Sequence, residues 1–462
     1  MATSLEDVHI LTIFIYLGDF NIMSGNGRKK FVSNTAWVIA QHIYSLIISI
    51  TVVALTARYL GPTDYGKINY CKSFLTFFTS LAGMGIDSLI VSEIIKKPEK
   101  EGSYLGTAMV FRLITSFISY ILLLALIAAI NPGDRELLII AAFQSLSIIF
   151  ETYTVLNYWF QIRLKMKVVS IAMIIAISVA SVWRIILLIR KSSVEWFALS
   201  SAIQALVCAM LIIAVFVRKT DVRLKFSIHD GLSLLKLSYN CIISNLSIVI
   251  YMEIDKVLLG NMTDAAHVGV YSAAVLLSSY WQFIPAALIE SARPIVLAKR
   301  KESHEGFINQ FQLVLAGVSI IGLLFAVCMT GMGWLVLKTV YGEEYMKGAV
   351  SLVILSWASF ISMVGTSRTI WINGESFYKY DKWFTVSACV MNIVLDIVLI
   401  KLMGITGAAV ATIITYAYEV FIAPLFFGRT RPFLRIYLQS FAKIPGSIEF
   451  FKSIILHKTG RN

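Results

Sequence analysis

An all-α, polytopic membrane protein of about twelve transmembrane helices, set in two six-helix lobes related by a pseudo-two-fold axis along the membrane normal, is the fold class the sequence predicts. Three observations predict it. The 462 residues are 58% hydrophobic and only 15% charged, with mean hydropathy +0.78, whereas soluble chains carry roughly 25% charged residues. The apolar residues fall in blocks of about 20, each long enough to cross a hydrocarbon core roughly 30 Å thick. A basic connector divides those blocks into six and six.

Residues 1–35 form an N-terminal extension on the cytoplasmic side. Its apolar run from Ile10 to Leu17 is too short to span and lacks both a basic n-region and a small-residue cleavage site. One reading makes Met23, just ahead of Ser24-Gly25-Asn26-Gly27-Arg28-Lys29-Lys30, the start of the native chain. The first lobe, 36–217, holds spans near 36–57, 73–95, 106–130, 137–160, 168–189 and 194–217. The connector at 218–236 has the composition of a loop between halves. The second lobe, 237–427, holds spans near 237–259, 268–291, 311–340, 349–372, 383–402 and 405–427, ahead of a basic tail at 428–462.

The formal charge of +13 would suggest nucleic acid in a soluble protein, but membrane proteins collect Lys and Arg in cytoplasmic loops. Assigning the forty Lys and Arg to alternate sides puts 27 on one face, in groups at 28–30, 96–100, 163–167, 218–236, 293–301, 379–382 and 429–461, and 10 on the other, leaving Arg112, Arg184 and Arg368 inside or at the edge of spans. Both termini therefore read as cytoplasmic, and no nucleic-acid partner is needed. The tail can touch anionic lipid head groups. Cys71, Cys208, Cys241, Cys328 and Cys389 are scattered singly through apolar stretches, which signals neither a disulfide framework nor a metal site.

The halves resemble each other. Leu60-Gly61-Pro62-Thr63-Asp64-Tyr65-Gly66 follows the first span, and Leu259-Gly260-Asn261-Met262-Thr263-Asp264 with Val268-Gly269-Val270-Tyr271 follows the seventh. Tyr158-Trp159-Phe160-Gln161 closes the fourth span and Trp371-Ile372-Asn373-Gly374 the tenth, so the matches recur about 200 to 212 residues apart. Six spans per copy bring both copies in from the same side, as parallel repeats that enclose a substrate path.

The Gly61–Gly66 turn, Gly85-Ile86-Asp87-Ser88, Trp159-Phe160-Gln161, Asp255-Lys256-Val257-Leu258-Leu259-Gly260, and Asn392 to Thr412 with its Gly404-Ile405-Thr406-Gly407-Ala408-Ala409 resemble the polysaccharide flippases of the multidrug/oligosaccharidyl-lipid/polysaccharide exporter superfamily. The resemblance covers residues 31 to about 427. It implies a V-shaped pair of six-helix lobes in a prokaryotic plasma (inner) membrane. These would pass a lipid-linked oligosaccharide, of the O-antigen or capsule type, from inner to outer leaflet by alternating access. The family often has Arg before the Glu of the second span, whereas this chain has Ser92-Glu93, which puts any role of that Arg in doubt.

A charge at mid-bilayer costs on the order of 3 kcal/mol or more, so each one retained is a functional candidate. A lipid-linked sugar carries a phosphate or pyrophosphate that cannot cross hydrocarbon, and Arg binds it best through a bidentate fork. Arg112 in the third span and Arg368 near the end of the tenth are the first candidates. Their alternative is an ion pair with Glu151 or another buried acid that merely fixes the helices. Lys256 either binds substrate, snorkels to the outer interface or pairs with Asp255. Asp87 is either a substrate contact or part of a solvated helix end. His42, beside Gln41, is either a proton-coupling group or a hydrogen-bonded packing residue. Asp396 and Glu419 are candidates for ion coupling.

No Walker A loop, His-Glu-x-x-His, paired Cys motif or Gly-x-Ser-x-Gly is present, so the sequence signals no catalytic residue, cofactor or metal. A gradient, the membrane potential or product consumption must then drive transport, with a coupling ion and other glycan assembly proteins as partners. Two rivals remain: a cation-coupled multidrug exporter, which would favour acidic cavity residues, and a membrane glycan polymerase or ligase. Against the enzyme stand the short outward connections. A purely structural scaffold has no positive support.

Overall fold

The computed structural model describes the backbone of residues 25–459, and the side chains in that range apart from 25–33, 35, 87, 88, 239–241, 243, 244 and 454–459. The described residues form helices and no strand, as expected where no water satisfies backbone groups. In order these are α1 (Gly25–Ile48), α2 (Ala54–Gly83), α3 (Asp87–Lys96), α4 (Glu101–Ile130), α5 (Arg135–Phe150), α6 (Thr154–Ile162), α7 (Met166–Arg190), α8 (Val194–Lys219) and α9 (Ile228–Met262). They continue with α10 (Ala265–Ser279), α11 (Phe283–Glu302), α12 (His304–Tyr341), α13 (Ala349–Glu375), α14 (Tyr378–Met403), α15 (Ile405–Ala417), α16 (Pro432–Ser440) and α17 (Ile444–Thr459).

Among the described residues ten helical stretches are long and apolar enough to cross a membrane. The first, Ala36–Gly83, is two spans, because Gly61 adopts φ 71°, ψ 173° inside α2. Only glycine enters that region without strain, and Pro62 then opens the next helix with φ already set. With α9, 35 residues long, the count reaches twelve. Lipid-facing flanks are apolar, with Ile121, Ile189, Val217, Leu324 and Leu402 exposed. Helix interfaces instead carry buried small hydroxyls such as Ser116, Ser170, Ser351 and Ser356, which let backbones approach closely.

Several spans break where side chains divert the backbone. The fourth tightens to 3₁₀ geometry at Glu151–Tyr153, where Thr152 Oγ1 donates to the Ile149 carbonyl (2.9 Å) and Thr154 Oγ1 to that of Glu151 (2.8 Å). These hydroxyls compete for carbonyls that would bond within the helix. The last span widens into a π turn at Tyr418–Ile422, a device often found at functional positions.

Contacts divide the chain into two compact units, Met1–Val257 and Leu258–Asn462. The expected lobe boundary is the connector at 218–236; the division falls instead within α9. The connector is strapped to α4. Lys225 N donates to the Gly102 carbonyl (3.0 Å), Ser227 N to Thr107 Oγ1 (2.9 Å), and both Lys100 Nζ (2.7 Å) and Ser103 Oγ (2.6 Å) to Asp230. The first unit packs around Ile90, Leu105, Leu156, Phe160 and Ile212, and the second around Phe307, Phe311, Val314, Trp371 and Phe433.

Candidate functional site

Three charged constellations lie within the helices. The largest belongs to the first unit. Glu253 on α9 accepts from Ser73 Oγ on α2 (2.9 Å) and from Lys256 Nζ one turn along (2.5 Å). The Lys256 and Glu253 side chains are 13% and 15% exposed, so the pair is largely shielded and retains much of its attraction. Lys72, next to Ser73, lies within electrostatic range of Glu253, Lys256 and Arg184. Its side chain is exposed and makes no ion pair among the described residues. Arg184 on α7 donates Nε–H to Ser200 Oγ on α8 (2.9 Å), and both Arg184 and Lys256 lie within electrostatic range of Tyr65. Buried Asp255 faces Lys256 at longer range. Lys72 and Lys256 thus lie about Glu253, Asp255 lies within range of Lys256, and Arg184 within range of Lys72, so three cations and two acids share this part of the first unit.

The second constellation joins two expected residues. Arg112 is buried on α4 and lies within electrostatic range of Glu151, at the 3₁₀ break of the fourth span. The third belongs to the second unit and centres on Arg368, 3% exposed. Its Nη1 donates to the Glu419 carbonyl (2.6 Å) and that of Val420 (3.4 Å) inside the π turn. Its Nη2 donates to Asp381 (3.2 Å) and stands 4.0 Å from the Glu419 carboxylate. The guanidinium also lies 5.0 Å from the centre of the Phe384 ring, a favourable cation–π contact. A π turn displaces carbonyls from the helical ladder, and Arg368 supplies donors to two of them. Asp381 and Glu419 are the acids beside Arg368.

The remaining expected residues are dispersed. His42 lies half-buried on α1, next to buried Gln41. Asp396 is fully buried on α14, one turn after equally buried Asn392, where α14 and α15 pack so closely that a Cβ on Gly407 would lie 2.0 Å from the Leu399 carbonyl oxygen. The Asp87 side chain lies outside the described residues. No group of three or more His, Cys, Asp or Glu positioned to hold a metal occurs among the described residues.

Lys72 and Arg184 are not singled out by the sequence, whereas Glu253 stands with Asp255 and Lys256 among the charges that end the seventh span. Lys72 reads as part of an outward connector and Arg184 as an edge residue, because hydropathy gives no depth for a charge near a span's end. The cost of an Arg inside the fifth span was the available signal. Arg293 on α11 was counted with the cytoplasmic basic residues. It is 3% exposed and donates to Glu290 (2.9 Å) and Thr369 (3.0 Å).

Comparison with known proteins adds independent findings. A family model described as polysaccharide biosynthesis protein matches residues 31–296. The chain is 25% identical over 180 residues to the probable flippase AglR of Haloferax volcanii, covering 37% of each chain. It is 25% identical over 203 residues to the probable low-salt glycan biosynthesis flippase Agl15 of the same organism, covering 42% of this chain and 41% of that one. The matches thus span about two fifths of these curated relatives. In fold, the chain is similar to the lipid II flippase MurJ in an inward closed conformation, with TM-score 0.68, 16% identity, and coverage of 93% of this chain and 98% of that one. It is also similar to an inward-facing multidrug resistance transporter of the MATE family, with TM-score 0.55, 14% identity, and coverage of 97% and 99%.

Proposed function

The chain belongs to the polysaccharide biosynthesis protein family, and from that premise we propose that it is a flippase. It translocates a polyprenyl-(pyro)phosphate-linked oligosaccharide, of the O-antigen or capsule type, across a prokaryotic plasma membrane by alternating access, with both termini cytoplasmic. The observation that supports this reading is the grouping of Lys72 and Lys256 about Glu253, with Arg184 within electrostatic range of Lys72. Cations inside membrane-spanning helices are expensive to keep. An anionic head group crossing hydrocarbon needs such partners, because charge-assisted hydrogen bonds replace the water it loses.

In this reading Lys72, with no ion pair of its own, meets the phosphate first, and Lys256 shares its charge between Glu253 and the substrate. Arg112 is a second phosphate contact, restrained by Glu151. Asp255 and Asp87 border the path. Arg368 serves the substrate by holding the π turn that carries Glu419. Asp396 and Glu419 are the positions for a coupling ion, and His42 for a proton. Membrane lipids and other glycan assembly proteins are the expected partners. The rival multidrug exporter, whose substrates would be cationic, is disfavoured by the same cations. The curated relatives are described as flippases, which supports a transporter over a glycan polymerase or ligase.

A deletion strain tests the proposal. Lipid-linked oligosaccharide should collect on the inner leaflet, and the wild-type chain should release it while a Lys72→Ala/Arg184→Gln double variant, inserted at normal level, should not. Absence of inner-leaflet accumulation would contradict the flippase reading. Normal export by the double variant would contradict the anion-binding role of the cluster.

A further inference from the structure

We propose that the segment after the last span, residues 428–453, is an interfacial anchor whose outer face binds the anionic head groups of bilayer phospholipids. This is independent of the transported substrate. The segment is first a fixed part of the second unit. Thr430 Oγ1 donates to the Pro424 carbonyl (2.7 Å) and Arg431 Nε–H to that of Leu425 (2.8 Å), so the turn out of the span is tied to the span's own last carbonyls. Phe433, Ile436, Tyr437 and Phe451 are then buried in the second core. The fit of Phe451 is close, because a Cβ on Gly317 of α12 would lie 2.2 Å from its ring. The tail is therefore held where the membrane span ends.

Its other face combines two properties that water alone does not favour together. Leu438 and Ile448 are 60% and 63% exposed, continuing from Phe426 at 66% on the end of the span. Arg429 and Arg435, between Phe426 and Leu438 in sequence, and Lys452, just after Ile448, are also exposed, and none of the three makes an ion pair among the described residues. Across 428–453 the sequence has five basic residues, Arg429, Arg431, Arg435, Lys443 and Lys452, and one acid, Glu449. Apolar side chains flanked by unneutralised cations fit the boundary between acyl chains and lipid phosphates. Beside this face a hollow of about 460 Å³ is lined by Lys443, Gln439, Gln312, Asn309, Glu305 and Ser303, with others.

The test uses the full chain in nanodiscs of phosphatidylcholine with or without phosphatidylglycerol, the lipid retained after delipidation being quantified by mass spectrometry. An environment-sensitive fluorophore on Leu438→Cys, in a Cys328→Ser background, gives a second readout. The wild-type chain should retain phosphatidylglycerol in preference to phosphatidylcholine, and the label should report an apolar setting. An Arg429→Gln/Arg435→Gln/Lys452→Gln variant, with unchanged thermal stability in phosphatidylcholine, should lose about tenfold of that preference. Equal retention by the wild type and the triple variant would overturn the proposal. So would a water-exposed label in both bilayers, or a label that responds equally to soluble glycerol phosphate without a bilayer.

Discussion

Lys72 and Lys256 stand close together in the first unit yet predict opposite phenotypes. Lys256 neutralises Glu253 at 2.5 Å. Removing it as Lys256→Ala leaves a largely buried carboxylate with Ser73 as its hydrogen-bond donor and Lys72 only at longer range, so the variant should lose about 1–3 kcal/mol of stability, read as a lower melting temperature in detergent. Lys72→Ala breaks no ion pair among the described residues and should leave melting unchanged while glycan export falls. A stable Lys256→Ala protein would contradict the pairing. Asp230, outside the spans, offers a pH test. The Lys100 ammonium, then the Ser103 hydroxyl, hold its carboxyl down to about 2 from an ordinary 3.8. A folded-state pKa below the unfolded one gives stability that is full above pH 4 and is lost as pH falls towards 2. Asp230→Asn should therefore melt below the parent at neutral pH, with the gap closing across that acid window. At this scale sequence legibility was uneven. Arg112 and Glu151 are near each other as one expected alternative has it, but the acids around Arg368 could not be read, because Asp381 reads as connector and Glu419 lies 51 residues away.

Helices report a different mixture. The turn at Gly61-Pro62 was legible, since Gly and Pro there carry the geometry in their own chemistry: φ 71° at Gly61 and a preset φ at Pro62. The break at Glu151–Tyr153 was not, because the threonine hydroxyls that bond to its carbonyls carry no breaker signal in the sequence, and the π turn at Tyr418–Ile422 is paired with an arginine on another helix. The strap of connector on α4 depends on close approach: a Cβ on Gly106 would lie 2.5 Å from the Lys225 carbonyl oxygen. Gly106→Ala should displace the strap at a cost of about 1–3 kcal/mol and speed limited proteolysis within 220–227. Unchanged cleavage would mean that the connector has slack. Hydropathy reads helices well but not what rests on them, so the connector looked like a free loop.

For the whole molecule, composition together with apolar blocks of about 20 residues makes the all-α membrane fold legible, since lipid permits few alternatives. Orientation rests on the distribution of basic residues. A thiol introduced as Lys225→Cys, with exposed Cys328 replaced, should be labelled from the cytoplasm and protected outside; labelling from outside would invert both termini. The division within α9 follows no change in composition, so the sequence does not mark it. The most direct measurement is transfer itself: purified chain in vesicles with a fluorescent polyprenyl-pyrophosphate oligosaccharide, outer-leaflet label being quenched over time. The wild-type chain should expose inner-leaflet substrate to the quencher, and Lys72→Ala/Arg184→Gln should slow this to the rate of empty vesicles. Equal transfer by both proteins, or none by the wild type under any imposed gradient, would contradict a cationic path for an anionic glycolipid.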